Sequence, residues 1–144
     1  LIRLADWFGL DGIWMDEHSA DPYSPKVIRA SMGSSFRVPV RQLGTLGLLL
    51  EDARYQIIAA DLEGVSLGTE QIEPLPELIL LGSESHGLEL TTNQREKLKV
   101  VCIPRFGKAE SLNVASAAAI LCWSVWGQGD SNKEGASGRR FLPK

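Results

Sequence analysis

Two kinds of apolar patterning run along this chain, helical spacing and short unbroken runs, and they predict interleaved helices and strands. Leu1, Leu4, Ala5 and Phe8 fall at i, i+3, i+4 and i+7, so residues 1–9 read as the end of a helix that Gly9 stops. Gly12–Asp16 (GIWMD) are a short apolar run, the pattern of a buried strand. Ser24-Pro25 opens a second helix, with Ser24 as N-cap and Pro25 at the first helical position, and that helix ends near Met32-Gly33. Phe36–Val40 predicts a short strand, and Arg41–Arg54 a helix with Leu43, Leu46 and Leu50 on one face. Tyr55–Ala60 (YQIIAA), Glu77–Leu81 (ELILL) and Leu98–Ile103 (LKVVCI) read as strands, with Thr91–Glu96 a short helix or turn between the last two. Ser111–Trp126 is a long final helix. From Val114 to Trp126, 11 of 13 residues are apolar, which predicts burial nearly all round.

Strands alternating with helices imply an α/β fold, a mostly parallel sheet covered by helices on both faces. In such sheets ligands bind outside the carboxyl ends of the strands, so the segments that follow the strands are where chemistry is expected. With 144 residues, 44% hydrophobic and 23% charged, the chain has the makings of one ordinary domain. That composition excludes a collagen-like, disordered or disulfide-scaffold protein. No apolar run approaches the length of a membrane span. No basic segment followed by an apolar one opens the chain, so no signal peptide is visible and a cytoplasmic location is expected. Cys102 and Cys122, without CxxC spacing, fit two free thiols in a reducing compartment. Residues 127–144 are rich in glycine and read as a flexible basic tail of net charge +2, leaving −5 on the body of a chain whose total is −3. Taken alone, that acidic body argues against a nucleic-acid partner.

Three strand ends stand out. Asp61-Leu62-Glu63-Gly64 follows the first, Gly82-Ser83-Glu84-Ser85-His86-Gly87-Leu88 the second, and Pro104-Arg105-Phe106-Gly107-Lys108-Ala109-Glu110-Ser111-Leu112-Asn113 the third. None holds the GxGxxG of a dinucleotide site. Leu88-Glu89 stands where a phosphate-binding P-loop needs Lys-Ser/Thr, which disfavours a dehydrogenase or nucleotide hydrolase. There is no GxSxG elbow for a serine hydrolase. His18 lies near Asp16, Glu17 and Asp21 without a second His or Cys at ligand spacing, so no metal site is expected.

Together these segments are more specific. Leu80–Leu88 (LLGSESHGL) resembles the second motif of the SpoU-type, TrmH-like branch of the SPOUT methyltransferases. Ile103-Pro104-Arg105-Phe106-Gly107 through Ser111-Leu112-Asn113-Val114-Ala115 resembles the third, Ile2-Arg3-Leu4-Ala5 with Phe8-Gly9 the end of the first, and Lys26–Ser34 the family's Lys-x-x-x-Ala-x-x-Gly-Ser segment. The order also matches, over residues 1–126. The first motif's asparagine would lie before Leu1, so a catalytic domain from a longer protein is expected.

The resemblance implies transfer of a methyl group from S-adenosylmethionine to a ribose 2′-hydroxyl of tRNA or rRNA, on a sheet whose C-terminal part forms a deep trefoil knot. It implies a homodimer through the C-terminal helix, with the active site near the subunit interface. The cofactor positions fall on Ala59, Ala60, Leu81, Gly82, Gly87, Ile103 and Leu112, and the catalytic ones on Arg3, Ser111 and Asn113. A guanidinium is almost never deprotonated in proteins, so Arg3 is expected to hold the RNA phosphate and orient the 2′-OH rather than act as a base. Glu84 would organise the second loop or sit near the ribose. Arg105, Lys108, Arg41, Lys26 and Arg29 are the expected phosphate contacts, the first two favoured because their loop borders the pocket. A non-catalytic dimeric module of the same fold, binding cofactor or RNA, is the alternative.

Overall fold

The helical spacing at the start of the chain folds as α1 (Ile2–Trp7), followed by β1 (Gly12–Met15) and α2 (Pro25–Ser31). Ser24 caps α2 as its composition predicts, the hydroxyl accepting from the Val27 N–H. In this computed structural model, residues 1–17, 19–43, 49–50, 55–68, 72, 74, 76–83 and 86–127 are described, together with the backbone of 140–143. A 3-10 turn at Ser34–Phe36 precedes β2 (Val40–Gln42), and the remaining elements are β3 (Ile57–Ser66), β4 (Leu78–Leu81), α3 (Thr92–Lys97), β5 (Lys99–Cys102), α4 (Val114–Trp126) and β6 (Arg140–Pro143). The strands form one sheet in the order β2-β1-β6-β4-β3-β5. Every neighbouring pair is parallel.

Side chains alternate across the strands and build two cores. Ile13, Ile58, Ile79, Leu81 and Val101 pack with Ile2 and Ala5 of α1 and with Ala118, Leu121, Cys122 and Val125 of α4. Ala59, Leu78 and Leu80 face the other way, against Leu49 and Leu88. The Trp126 indole N–H donates to the Pro76 carbonyl at 2.9 Å, which ties the end of α4 to the approach to β4. Among the described residues no helix is long and apolar enough to cross a membrane.

Four expectations change. The strand expected at Phe36–Val40 begins only at Val40: Phe36 ends the 3-10 turn and is 76% exposed, and Pro39 has no N–H to donate to a ladder. Arg41 and Gln42 then lie in β2, so the helix expected from Arg41 starts later; Leu49 and Leu50 are helical, and most of that segment lies outside the described residues. The segment 61–64 is no strand-end loop. Ala60 and Val65 both pair with Val101, so the residues between them bulge out of β3 before the strand resumes. Gly64 permits this, because a Cβ there would sit 2.5 Å from the Val101 backbone. Finally, the tail of 127–144 is not wholly outside the fold. Arg140–Pro143 enters as β6 between β1 and β4. The physical reason is the sheet itself: between β1 and β4 two strand edges face the same gap, and a four-residue strand satisfies both sets of backbone groups.

Candidate active site

The β3 bulge and the carboxyl ends of β4 and β5 meet near the start of α4, and two adjoining cavities open there, of about 310 and 570 Å³. They share a wall that includes Ala60, Asp61, Ser111, Leu112 and Ala117. The smaller is mostly apolar, continuing over Ile103, Phe106 and Leu121. The larger runs under the segment after β4, over Leu81, Gly82, Gly87 and Leu88.

That segment is closed on itself by backbone bonds. The Ser83 N–H donates to the Gly87 carbonyl at 3.0 Å, and the Gly87 N–H donates back to the Ser83 carbonyl at 2.9 Å. The Ser83 hydroxyl accepts from the His86 N–H at 3.0 Å. Gly87 takes φ +65°, and a Cβ on Gly82 would lie 2.2 Å from the Gly87 carbonyl carbon. Both glycines are therefore required by the turn itself. Glu84 lies outside the described residues.

The segment after β5 is built differently. Residues 104–113 are all exposed and lack helix or strand. The Arg105 guanidinium bridges it, donating to the Ala109 carbonyl at 3.4 Å. It is anchored where α4 begins: the Asn113 side-chain oxygen accepts from the Ala115 N–H at 2.9 Å and the Ser116 N–H at 3.4 Å. Asn113 is thus the N-cap of α4, and Ser111 lies two residues before it, bordering both cavities.

Of the residues singled out by sequence, Ala60, Leu81, Gly82, Gly87, Ile103, Leu112, Ser111 and Arg105 come together around these cavities. Ala59 does not. It is fully buried with Leu78 and Leu80 on the other face of the sheet, because alternate strand residues point oppositely. Arg3 is exposed on α1 and lines neither cavity. Lys108 is exposed in the Arg105 loop, while Lys26 and Arg29 on α2 and Arg41 on β2 are exposed away from the cavity walls.

Sequence reasoning missed an ion pair at the larger cavity. Arg95 of α3 donates to the Asp61 carboxylate at 2.7 Å, which holds the start of the β3 bulge from the neighbouring helix, and lies 4.0 Å from the exposed Glu63. Its two members are 34 residues apart, and no local pattern announces them. A second cluster secures α1. The Arg37 guanidinium (Nε at 3.0 Å) and the Ser34 hydroxyl (2.7 Å) both donate to Asp6, and in that order they hold its carboxyl below the usual aspartate range.

Residues 1–123 match the model of the SpoU rRNA Methylase family. The chain belongs to that family. It is 37% identical over 133 residues to an uncharacterized tRNA/rRNA methyltransferase of Synechocystis sp., covering 87% of this chain and 46% of the relative. It is 31% identical over 129 residues to the 23S rRNA (guanosine(2553)-2'-O)-methyltransferase RlmP of Bacillus subtilis, covering 88% and 52%. The crystal structure of an AdoMet-bound rRNA methyltransferase from Sinorhizobium meliloti superposes with a TM-score of 0.75 at 30% identity, covering 90% of this chain and 51% of that one. The chain therefore spans about half the length of each of these three relatives.

Proposed function

We propose that this SpoU-family domain, residues 1–126 with β6 completing its sheet, binds S-adenosylmethionine and methylates a ribose 2′-hydroxyl of tRNA or rRNA. The observation that carries the reading is the meeting of the second and third motif segments around paired cavities whose walls combine apolar side chains and glycine backbone with a few polar groups, Ser111 among them. Cavities of this size suit a nucleoside-sized ligand. The exposed backbone of residues 104–112 suits an adenine edge, and Ala60, Leu81, Gly82, Gly87, Ile103 and Leu112 would hold the cofactor. When bound, S-adenosylmethionine supplies a methyl group on a sulfonium, already a good leaving group.

The protein's task is then to hold the attacking oxygen in line with the methyl–sulfur bond, and positioning of that kind can supply much of the rate. Ser111, on the wall common to both cavities, orients the ribose by hydrogen bonding. Asn113, as the N-cap of α4, fixes the point where the segment carrying Ser111 joins the helix. Arg3 holds the phosphate beside the target nucleotide as a permanent cation. Because Arg3 lies outside the cavities of its own chain, this role fits a homodimer in which the site is completed at the subunit boundary. The face of α4 that carries Ile120 and Trp123, 40% and 63% exposed, supports such a dimer, since burial of that helix stops at this face. The C-terminal trefoil knot, a cytoplasmic location, an organising role for Glu84, and phosphate contacts at Arg105, Lys108, Arg41, Lys26 and Arg29 belong to the same reading.

The test uses the intact protein with labelled S-adenosylmethionine and total RNA. Arg3→Ala and Arg3→Lys both lose methyl transfer and keep cofactor affinity by titration calorimetry. A fully active Arg3→Ala contradicts the assigned role. Cofactor binding with no transfer to any RNA by the unmodified protein favours a non-catalytic module instead.

A further inference from the structure

Phe106 is 99% exposed, the most exposed large apolar side chain among the described residues, yet it lies at the wall of the smaller cavity. Two other apolar residues of that wall, Leu62 and Leu112, are also open to solvent, at 63% and 50%. They form an apolar collar around the opening. Phe106 is flanked in the chain by Arg105 and Lys108, and the loop they share carries a net positive charge, with Glu110 its single acid, on a chain of net −3. An exposed aromatic ring between two cations is the arrangement that takes an unstacked nucleobase: the ring receives the base face and the cations receive the phosphates on either side.

We propose that Phe106 is a base-stacking residue, and that the nucleotide presented to this cavity, or its immediate neighbour, is unstacked and laid on the Phe106 ring. The inference rests on the proposed RNA 2′-hydroxyl reading. A nucleotide that leaves its stack to present its ribose here loses a base contact, and the collar offers a replacement surface. Leu62 flanks the base with apolar contact, Leu112 lies between it and the cofactor, and Arg105 and Lys108 contact backbone phosphate. Stacking on a ring face tolerates every base, so Phe106 contributes affinity for unpaired RNA without selecting a base. The substrate class is therefore single-stranded or loop RNA rather than a continuous duplex.

The test measures binding of fluorescein-labelled oligo(A), oligo(U) and a blunt RNA duplex to the intact protein, its Phe106→Ala and Phe106→Trp variants, and the Arg105→Gln/Lys108→Gln double variant. Phe106→Ala is expected to weaken both single strands about 5- to 150-fold, the span of one lost base stack. Phe106→Trp restores binding, and affinity for S-adenosylhomocysteine is the same in all. The double variant lowers the salt dependence of binding and leaves the Phe106→Ala effect in place. Equal binding by Phe106→Ala and the unmodified protein overturns the proposal, as does a preference for the duplex. Loss of S-adenosylhomocysteine affinity in Phe106→Ala overturns it too, by assigning the ring to the cofactor. A Phe106-dependent grip on RNA by a protein that transfers no methyl group to total RNA leaves the stacking role standing and removes the catalytic reading.

Discussion

The two segments that bound the candidate site differ in how they are held. Gly82–Leu88 is locked by reciprocal backbone bonds between Ser83 and Gly87 and by a glycine contact that admits no side chain. Residues 104–113 are exposed throughout, with the Arg105–Ala109 bond within the loop and the Asn113 cap at its end. A ligand of fixed shape is best received by a preformed backbone, which spends no further ordering on binding. A polymer substrate is better met by an exposed loop that can adapt. On the proposed reading, the first segment serves the cofactor alone, while the second contributes Ile103 and Leu112 to the cofactor and turns its exposed Arg105–Lys108 stretch to a larger partner.

The largest effect that could break this contrast is expected at Gly82. Gly82→Val drives methyl groups into the Gly87 backbone, so cofactor binding should disappear in calorimetry and stability should fall by about 1–3 kcal/mol, as overpacking of a tight site does. Retained cofactor affinity would show that the locked turn is not the cofactor's wall. Next comes the anchor of the open segment. Asn113→Ala should cost about 1 kcal/mol by loss of the cap, seen as a melting point lower by a few degrees. Ser111→Ala should leave the melting point alone and lower kcat for methyl transfer. Equal melting behaviour in the two variants would remove the distinction between anchor and site. Arg95→Gln should release the β3 bulge at a cost of about 1 kcal/mol, since the Asp61 side chain is only 16% exposed, and should raise KM for the cofactor more than it lowers kcat. The smallest effect lies outside both segments. Because Arg37 and Ser34 hold the Asp6 carboxyl low, its contribution to stability is present above the ordinary aspartate range of about 3.9 and is lost as pH falls through its depressed value. Asp6→Asn should flatten that acid limb in urea titrations without altering cofactor binding.

What could be read from residues alone follows the range of the forces involved. The Ser24-Pro25 start of α2 and the apolar runs of β1, β4 and β5 rest on neighbours in sequence, and they stand where the pattern placed them. The paired cavities arose where the rule for parallel sheets puts them. The β3 bulge was not legible, because it depends on Gly64 passing over the Val101 backbone, a contact made only after the strands pair. The same holds for β6, a four-residue strand at the end of a glycine-rich stretch whose reason to form is the gap between β1 and β4. Asn113 was legible as a motif residue, but its cap shows only once α4 is seen to start at Val114. α4 also overstated its burial. Its composition is apolar all round, yet Trp123 and Ile120 face solvent, and composition cannot separate a core helix from one with an open apolar face.

The roles proposed for Arg3 and for the Phe106 collar both depend on RNA at this site, and the proposed reaction depends on a 2′-oxygen as the acceptor. The most direct measurement incubates the intact protein with methyl-labelled S-adenosylmethionine and total RNA, then subjects the labelled RNA to alkaline hydrolysis. A 2′-O-methylated ribose cannot form the cyclic phosphate needed for cleavage, so the account predicts label in alkali-resistant dinucleotides at one position. Label released in mononucleotides, with the methyl group on a base, would contradict it.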